Sequence, residues 1–434
     1  MTRHGFGAAR SATTIDQDVG LIVHSHLRWD FVWQRPQQLL SRMAATNPVL
    51  FIEEPIIRAD ISAPTLDLTP VYRGVTRAVP LIPTAMDRGY DANIAQVRTL
   101  VDALIGSPEM APRFQRVVQW FYTPMPASAM LGAFNEVAVV YDCMDELAQF
   151  RFAPGDIGAR ERQLLSQADV VFVGGHELFK SKKRYHRNVH FFGCGVDAAY
   201  FGTARLSETV VPDDAASLTH PVFGYFGVID ERLDYGLIGS LAESRSDATI
   251  LMIGPLAKVD PRELPSARNI VWLGQRPYAD LPRYVKAFDV CLMPFALNPA
   301  TEYINPTKTL EYMAAGKPIV STAIADVVRN FSPIVRIARS ADEFVRAVSD
   351  SALDPDESII EAGLKRVATA SWESIVTRMR EIISEAIVCD AASPDDVDAN
   401  EAGDLADDRT PGWRRRTHTN RASDHTPEAG GAWP

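Results

Sequence analysis

The chain has 434 residues, and 46% of them are apolar. This length exceeds what one hydrophobic core usually supports, so two domains are expected. The net charge of -11 argues against a nucleic-acid-binding protein, because duplex binding requires concentrated Lys and Arg side chains. The cysteines at positions 143, 194, 291 and 389 are scattered without metal-ligand spacing, which indicates a reducing compartment.

The first residues, MTRHGFGAARSATT, lack the apolar core of a secretory signal. No run approaches the roughly 20 apolar residues that a membrane-spanning helix needs. We therefore expect a cytoplasmic protein. A peripheral contact with the inner face of the plasma membrane stays open.

Apolar strand-like runs alternate with helical patterns along most of the chain. The first series is VGLIVH, VAVVYD and DVVFVGG, followed respectively by the helical patterns RPQQLLSRMAA, ARERQLLSQA and HELFKSKKRYH. A second series contains PVFGYFG, ATILMIG, NIVWLG, DVCLMPF and PIVST. Nearly continuous apolar strands that alternate with helices predict parallel sheets covered on both faces.

These patterns predict an α/β protein with two doubly wound, Rossmann-like domains that face a cleft. Ligands of such sheets bind beyond the carboxyl ends of the strands, so functional side chains are expected in the loops that follow strands. The predicted divisions are a flexible N-terminus (1–15), a first domain (16–205), a linker (206–220), a second domain (221–370), a C-terminal helix (371–390) and a disordered tail (391–434).

One helix, in INPTKTLEYMAAGKPIVST, follows an apolar strand and a short loop. Asn305 is predicted to cap it, Pro306 suits its first position, and Gly316 suits a left-handed exit. A helix N-terminus favours an anion by about 0.3 to 2 kcal/mol. We predict that the amides of Thr307 and Lys308, with the side chains of both residues, bind a diphosphate.

Glu311 lies one turn further along the same helix. Its carboxylate could accept hydrogen bonds from two neighbouring hydroxyls, as on a ribose. Alternatively, Lys308 and Glu311 solvate an exposed helix face. The spacing alone does not decide between these interpretations.

Three segments resemble a known family: EYMAAGKPIV, NIVWLGQRPYADLPRYVKAFDVCLMPF and FFGCGVDAAYF. They are similar to the retaining glycosyltransferases of group 1, which have the GT-B fold, over roughly residues 19 to 387. The opening WDFVWQRPQQLL resembles bacterial cell-surface polysaccharide enzymes of the teichuronic acid glycosyltransferase kind. The resemblance implies sugar transfer, with retention of configuration, from a nucleotide-diphosphate sugar to a glycan, glycolipid or small-molecule acceptor. It implies no cofactor beyond this co-substrate, and we infer no bound metal.

The resemblance assigns donor-binding roles around the helix described above. Glu311 matches the family glutamate that binds the donor ribose. A second family glutamate, eight positions earlier, contacts the donor sugar; Tyr303 stands in that position, and Glu302 beside it could take the role. The loop between the two glutamates holds the diphosphate in the family, and here it includes Asn305 and Thr307.

Two other loops of the second domain match the family in part. Gly227 corresponds to a family glycine, whereas Val228 stands where the family has an arginine. We assign Arg232 the phosphate-binding role, although it could instead pair with an acidic neighbour on the surface. Arg276 lies in a segment that resembles the one whose backbone contacts the donor base.

In the first domain, Asp142 occupies a position where many relatives have a histidine close to the reacting sugar carbon. We expect Asp142 to bind a donor hydroxyl or stabilise positive charge on the sugar; Asp145 is a second candidate or a helix cap. Trp33 and Arg35 follow the first strand and are expected at the acceptor, although Trp33 could be buried in the core. Tyr122 is expected to line the acceptor pocket.

Two other functions would use a similar scaffold. A nucleotide-sugar 2-epimerase would release free nucleotide without an acceptor. A noncatalytic sugar-binding or scaffold protein would leave nucleotide sugars intact. An NAD-dependent dehydrogenase is disfavoured, because no strand is followed by the glycine-rich G-x-G-x-x-G pattern.

Overall fold

A computed structural model describes residue 15 and residues 18–391 of the chain. The first of its two sheets has the strand order β3-β5-β2-β1-β6-β7-β8-β9, and β4 pairs in antiparallel fashion with β5. Its strands are β1 (Val19–His24), β2 (Val49–Ile52), β3 (Ile56–Arg58), β4 (Thr65–Tyr72), β5 (Val75–Pro83), β6 (Arg116–Phe121), β7 (Glu136–Cys143), β8 (Val170–Val173) and β9 (Val189–Phe191).

The second sheet is parallel throughout and has the order β12-β11-β10-β13-β14-β15. The strand order reverses beside β10 and β13, where a crevice is expected at the carboxyl ends of the strands. The strands are β10 (Val222–Phe226), β11 (Thr249–Ile253), β12 (Ile270–Gly274), β13 (Val290–Met293), β14 (Ile319–Thr322) and β15 (Arg336–Ala338).

Helices cover both sheets. They are α1 (Arg35–Met43), α2 (Tyr90–Ile105), α3 (Ala127–Met130), α4 (Ile157–Leu165), α5 (His176–Lys182), α6 (Ala198–Gly202), α7 (Asp213–Ala216), α8 (Tyr235–Ser244), α9 (Leu281–Lys286), α10 (Lys308–Ala314), α11 (Ala325–Phe331), α12 (Ala341–Leu353), α13 (Glu357–Val367) and α14 (Trp372–Ala391). The predicted linker therefore contains a short helix, α7. Apart from Ile15 and Ala391, the predicted N-terminal segment and tail lie outside the described residues.

Most of the apolar runs found in the sequence are buried strands. Every residue of β1, β8, β10, β11 and β13 is buried. Strands covered on both faces have no solvent side, which explains why these segments are continuously apolar and do not alternate. The α/β architecture predicted from them is confirmed.

The last helix returns from the second domain to the first. Trp372, which is fully buried, packs into the core between the first sheet and its helices. Further along α14, Arg380 donates hydrogen bonds to the carbonyl of Met43 at 2.6 Å and to the side chain of Asn47 at 2.7 Å. The helix that follows the second domain therefore packs against the first domain.

Helix α10 begins later than predicted. Its first residue is Lys308, its N-cap is Thr307, and no side chain caps it. Asn305 does not act as a cap, because its amide nitrogen donates to the carbonyl of Gly174 in the first domain at 3.0 Å. The left-handed exit at Gly316 is confirmed by a φ of +67°.

Candidate functional site

A cleft of about 730 Å³ lies between the carboxyl ends of the two sheets. The first domain contributes the loop after β1, the segment after β7, and single residues after β8 and β9. The second domain contributes the loops after β10, β11 and β12 and the start of α10. The lining includes residues 29–35, 144–145, 225–228, 253–255, 275–278 and 304–308, together with Gln38, Gly174, Cys194, Arg232, Phe295 and Glu311.

Lys308 and Glu311 place opposite charges in the wall of this cleft. Lys308 Nζ lies over the rings of Tyr225 and Phe295, at 5.3 and 5.2 Å from their centroids. Glu311 is only 6% exposed, and its carboxylate makes no hydrogen bond within the described part of the chain. Burial lowers the pKa of Lys308 and raises the pKa of Glu311, while their mutual attraction opposes both shifts. A buried carboxylate without a donor is suited to accept hydrogen bonds from a ligand.

Two glycines bring the loops after β10 and β11 close to this charge pair. Gly227 has φ +144°, and a Cβ there would lie 2.9 Å from Lys308 Cε. Gly254 has φ +151°, and a Cβ there would lie 1.8 Å from the carbonyl oxygen of Gly227. Only glycine combines this backbone conformation with such close approach. The sequence pattern identified Gly227, whereas the need for Gly254 is visible only in three dimensions.

Arg232 lines the cleft, but its guanidinium is already paired. Its Nη2 lies 2.6 Å from Asp230 Oδ2, and its Nε donates to both carboxylate oxygens at 3.0 Å. Burial opposes the charge of Arg232, but Asp230 outweighs it and raises the arginine pKa. Arg232 therefore lines the cleft and also pairs with an acidic neighbour.

The structure places Asp142 beneath the cleft and not in its lining. Strand β7 continues through Cys143, so Asp142 is still inside the strand, and its fully buried side chain faces α1. Arg35 binds it through Nη2 at 2.9 Å and through Nε at 3.1 and 3.2 Å, and also donates to the Phe192 carbonyl at 3.0 Å. The role predicted for Asp142 at the reacting sugar is therefore wrong. Its side chain links α1 to β7.

Tyr122 is likewise part of the core, not of the cleft lining. It is 1% exposed, and burial, with the Asp142 charge, raises its pKa well above the ordinary value. Arg35 does reach the cleft wall, but its guanidinium is bound by Asp142. Neither the hydroxyl of Tyr122 nor the guanidinium of Arg35 is positioned as predicted for acceptor binding.

Asp145, unlike Asp142, reaches the cleft. It lies two positions beyond the end of β7 and lines the cavity. Burial raises its pKa, and the charges of Arg232 and Lys258 from the second domain oppose that shift. Of the two aspartates singled out in the sequence, the structure favours the second, because it follows the strand.

Glu302 does not replace the missing family glutamate. Its side chain is exposed and lies outside the cleft lining. Tyr303 packs against the apolar cluster under β6, β7 and β8 of the first domain. The place of the second glutamate is therefore taken by neither residue, because the loop turns both of them away from the cavity.

Arg276 lines the cleft, but its guanidinium holds the surrounding loop together. It donates to Asp214 at 2.8 Å, to the Tyr284 hydroxyl at 2.9 Å and to the carbonyl of Leu273 at 2.6 Å. These contacts fix the backbone of the loop, which is the part expected to meet the donor base. The neighbouring Tyr278 was not singled out from the sequence.

Aromatic side chains close one end of the cleft. The ring of Trp33 lies 6.0 Å from that of Tyr72 and 5.9 Å from that of Tyr278, which belongs to the second domain. Gln38 donates to the Tyr278 hydroxyl at 2.9 Å, and Gln275 hydrogen-bonds the carbonyl of Phe31. Trp33 is therefore in the cleft and not in the core, and it touches the donor side as well as its own domain.

Cys194 is a further residue of the cleft that the sequence did not reveal. Its Sγ donates to the carbonyl of Asn305 at 3.1 Å and lies 3.4 Å from the Thr307 hydroxyl. Burial raises the pKa of this thiol. It acts as a neutral hydrogen-bonding group where the first domain meets the start of α10.

Within residues 18–391 and at residue 15, no group of three or more His, Cys, Asp or Glu side chains is arranged to hold a metal ion. In the same part of the chain, no helix combines the length and apolar character needed to cross a membrane.

Comparisons with known structures define the class of fold. The chain superposes on sucrose-phosphate synthase from Thermosynechococcus elongatus with a TM-score of 0.61 and 16% identity, covering 85% of this chain and 99% of that one. It superposes on Anabaena HepE in complex with UDP with a TM-score of 0.58 and 13% identity, covering 85% and 100%. A trehalose-6-phosphate protein from E. coli bound with UDP-2-fluoro glucose gives 0.56 and 12%, covering 86% and 98%. The fold is GT-B.

The sequence comparisons match part of the chain. Residues 221–354 match the family described as Glycosyl transferases group 1. TuaH of Bacillus subtilis (strain 168), named for a glycosyltransferase role in teichuronic acid biosynthesis, is 26% identical over 242 residues. That match covers 51% of this chain and 59% of TuaH. The resemblance to the group 1 glycosyltransferases is confirmed.

The position of Asp142 leads to a prediction about stability. Asp142→Asn leaves the buried Arg35 guanidinium without a counter-charge, so the free energy of unfolding should fall by about 3 to 5 kcal/mol. Denaturant unfolding measures this change. Asp145→Asn, the matched change in the cleft, should leave stability close to that of the unaltered protein. Unchanged stability in Asp142→Asn would contradict the structural role assigned to the pair.

Proposed function

We propose that the protein transfers a sugar from a nucleotide-diphosphate sugar to an acceptor hydroxyl during synthesis of a cell-surface glycan or glycolipid. The GT-B fold, the family match in the second domain and the similarity to TuaH support this proposal. The observation that carries it is the cleft wall itself. There a buried carboxylate without hydrogen bonds, Glu311, adjoins the half-buried ammonium of Lys308.

The donor would occupy the second domain. Glu311 would accept hydrogen bonds from the ribose hydroxyls, and the backbone loop around Arg276 would contact the base. Lys308 and Arg232 would bind the diphosphate. Helix α10 has only seven residues, so these side chains contribute more to anion binding than the helix end does. The opposite wall, with Trp33 and Asp145, would face the acceptor and the donor sugar.

In the proposed reaction, the bond between the anomeric carbon and the diphosphate oxygen breaks as the acceptor oxygen bonds to the same carbon. The acceptor proton passes to the leaving phosphate, and the sugar retains its configuration. Negative charge grows on the diphosphate, so cations already in place stabilise the transition state more than the ground state. Asp145 would stabilise the positive charge that develops on the sugar.

A panel of nucleotide sugars, followed by mass spectrometry of the released nucleotide, tests the proposed function. UDP-sugars are the first to use, since two of the structural neighbours are bound to UDP compounds. We expect nucleotide release from one donor, increasing when a glycan or glycolipid acceptor is added. Release that requires no acceptor and yields an epimerised sugar would favour a 2-epimerase. Donors that stay intact throughout would favour a noncatalytic sugar-binding protein.

Glu311 gives a second prediction. Glu311→Ala removes a charged acceptor of ribose hydrogen bonds, so the affinity for UDP or GDP should weaken by about 1.5 to 3 kcal/mol. Calorimetry measures the affinity directly. Glu302→Ala serves as the control, because this nearby glutamate is exposed and outside the cleft lining. Equal affinities of the two variants would remove the ribose assignment.

We also propose a peripheral contact with anionic membranes through the end of α5 and the loop after it. The chain as a whole carries a net charge of -11. In the segment 180–187, however, the exposed cations Lys183, Arg184 and Arg187 flank Tyr185, which is 61% exposed. Clustered cations are attracted to anionic lipid by about 1 kcal/mol each, and an aromatic ring is suited to the interface.

Vesicle co-sedimentation tests this contact. Changing Lys183, Arg184 and Arg187 together to Gln should weaken binding to vesicles with about one third phosphatidylglycerol by roughly ten- to a hundredfold. The control changes three exposed arginines elsewhere, Arg98→Gln, Arg268→Gln and Arg346→Gln, and alters the net charge equally. Equal binding by both triple variants, or equal binding to neutral phosphatidylcholine vesicles, would exclude the proposed surface.

A further inference from the structure

The segment between β7 and α4 reaches from the first domain to the second. It begins with Asp145 in the cleft lining and continues to Phe150, whose ring packs against the small apolar cluster of Met125, Leu147 and Ile157. The backbone N–H of the next residue, Arg151, lies 3.3 Å from Glu231 Oε1 in the second domain. Phe150 is therefore supported by its own domain while it lies at the interface with the other.

Two cations of the second domain lie over the Phe150 ring. Arg232 Cζ is 6.0 Å from the ring centroid and Lys258 Nζ is 5.2 Å from it. Both distances fall within the range of cation–π attraction. The ring thus contacts both cations.

Other features also fix the directions of these two cations. Asp230 holds the Arg232 guanidinium through three hydrogen-bond contacts of 2.6 to 3.0 Å. Lys258 has φ +59°, and it is the non-glycine residue with a left-handed backbone within the described part of the chain. Such a conformation costs free energy and persists where the surroundings impose it, often at functional sites.

We propose that Phe150 is a positioning residue: its ring, which Lys258 also contacts, holds Arg232 of the second domain in the orientation that serves the leaving diphosphate. This inference rests on the proposed function. Because the ring belongs to the first domain, this contact with the two cations forms only when the domains are closed on each other. Closure of the cleft then completes the positioning that Asp230 begins for Arg232.

Calorimetric titration with UDP and GDP tests the proposal without requiring turnover. Phe150→Leu keeps an apolar side chain against Leu147 and Ile157 but removes the ring face, so affinity for the nucleoside diphosphate should fall by about three- to thirtyfold. Affinity for the nucleoside monophosphate should fall less. Phe150→Tyr, which retains the ring, should restore diphosphate affinity. Phe152→Leu is the matched control, since Phe152 is 56% exposed and lies next to Arg151 of its own domain.

A double-mutant cycle separates positioning from a general structural effect. If the ring acts through the guanidinium, Phe150→Leu should add little to the loss already caused by Arg232→Met. Fully additive losses, or equal losses for mono- and diphosphate, would overturn the proposal. Normal diphosphate binding by Phe150→Leu would overturn it while leaving the proposed function intact. Failure of the unaltered protein to bind either nucleotide would overturn both.

Discussion

Burial of Lys308 and Glu311 between two facing domains is the constraint on which the site depends. Each group loses water on burial, and each is compensated only partly by the other. Gly227 lets its loop approach Lys308 closely, Gly254 lets the next loop approach Gly227, and both charged groups line the cleft. The same constraint explains why the polar groups of the cavity are few and specifically placed, since each uncompensated group lowers stability.

Several contacts between the domains lie around the cavity. At one end, Trp33 approaches Tyr278; in the middle, Asn305 binds the Gly174 carbonyl; at the other end, Phe150 meets Arg232. Helix α14 joins the domains away from the cleft through the buried Trp372. A permanent link combined with smaller polar and aromatic contacts around the cavity favours hinge-like opening over separation, because the small contacts are individually weak.

The fold was accessible from the sequence because parallel strands buried on both faces must be continuously apolar. That signal is local, and it located β1, β7, β8 and the strands β10 to β14 of the second sheet, but not β15. The left-handed exit at Gly316 was equally predictable, since this backbone conformation at a helix end strongly favours glycine. The short strands β3 and β9 and the antiparallel β4 lacked such a signal. Their pairing depends on neighbours distant in the sequence.

The site was less predictable from the sequence, because the exact ends of the strands decide which side chains reach the cleft. A difference of one residue in the end of β7 kept Asp142 in the core, where Arg35 neutralises it, and left Asp145 to line the cavity. The prediction that Glu302 contacts the donor sugar was wrong for a similar reason. Its loop turns it outward, although its sequence position adjoins that of the family glutamate. Phe150 carried no signal at all, since a cation–π contact with another domain is defined only by tertiary structure. The residue at which each loop leaves its sheet therefore determines which side chains line such a cleft. The type of a residue indicates its role only once the end of the preceding strand is known.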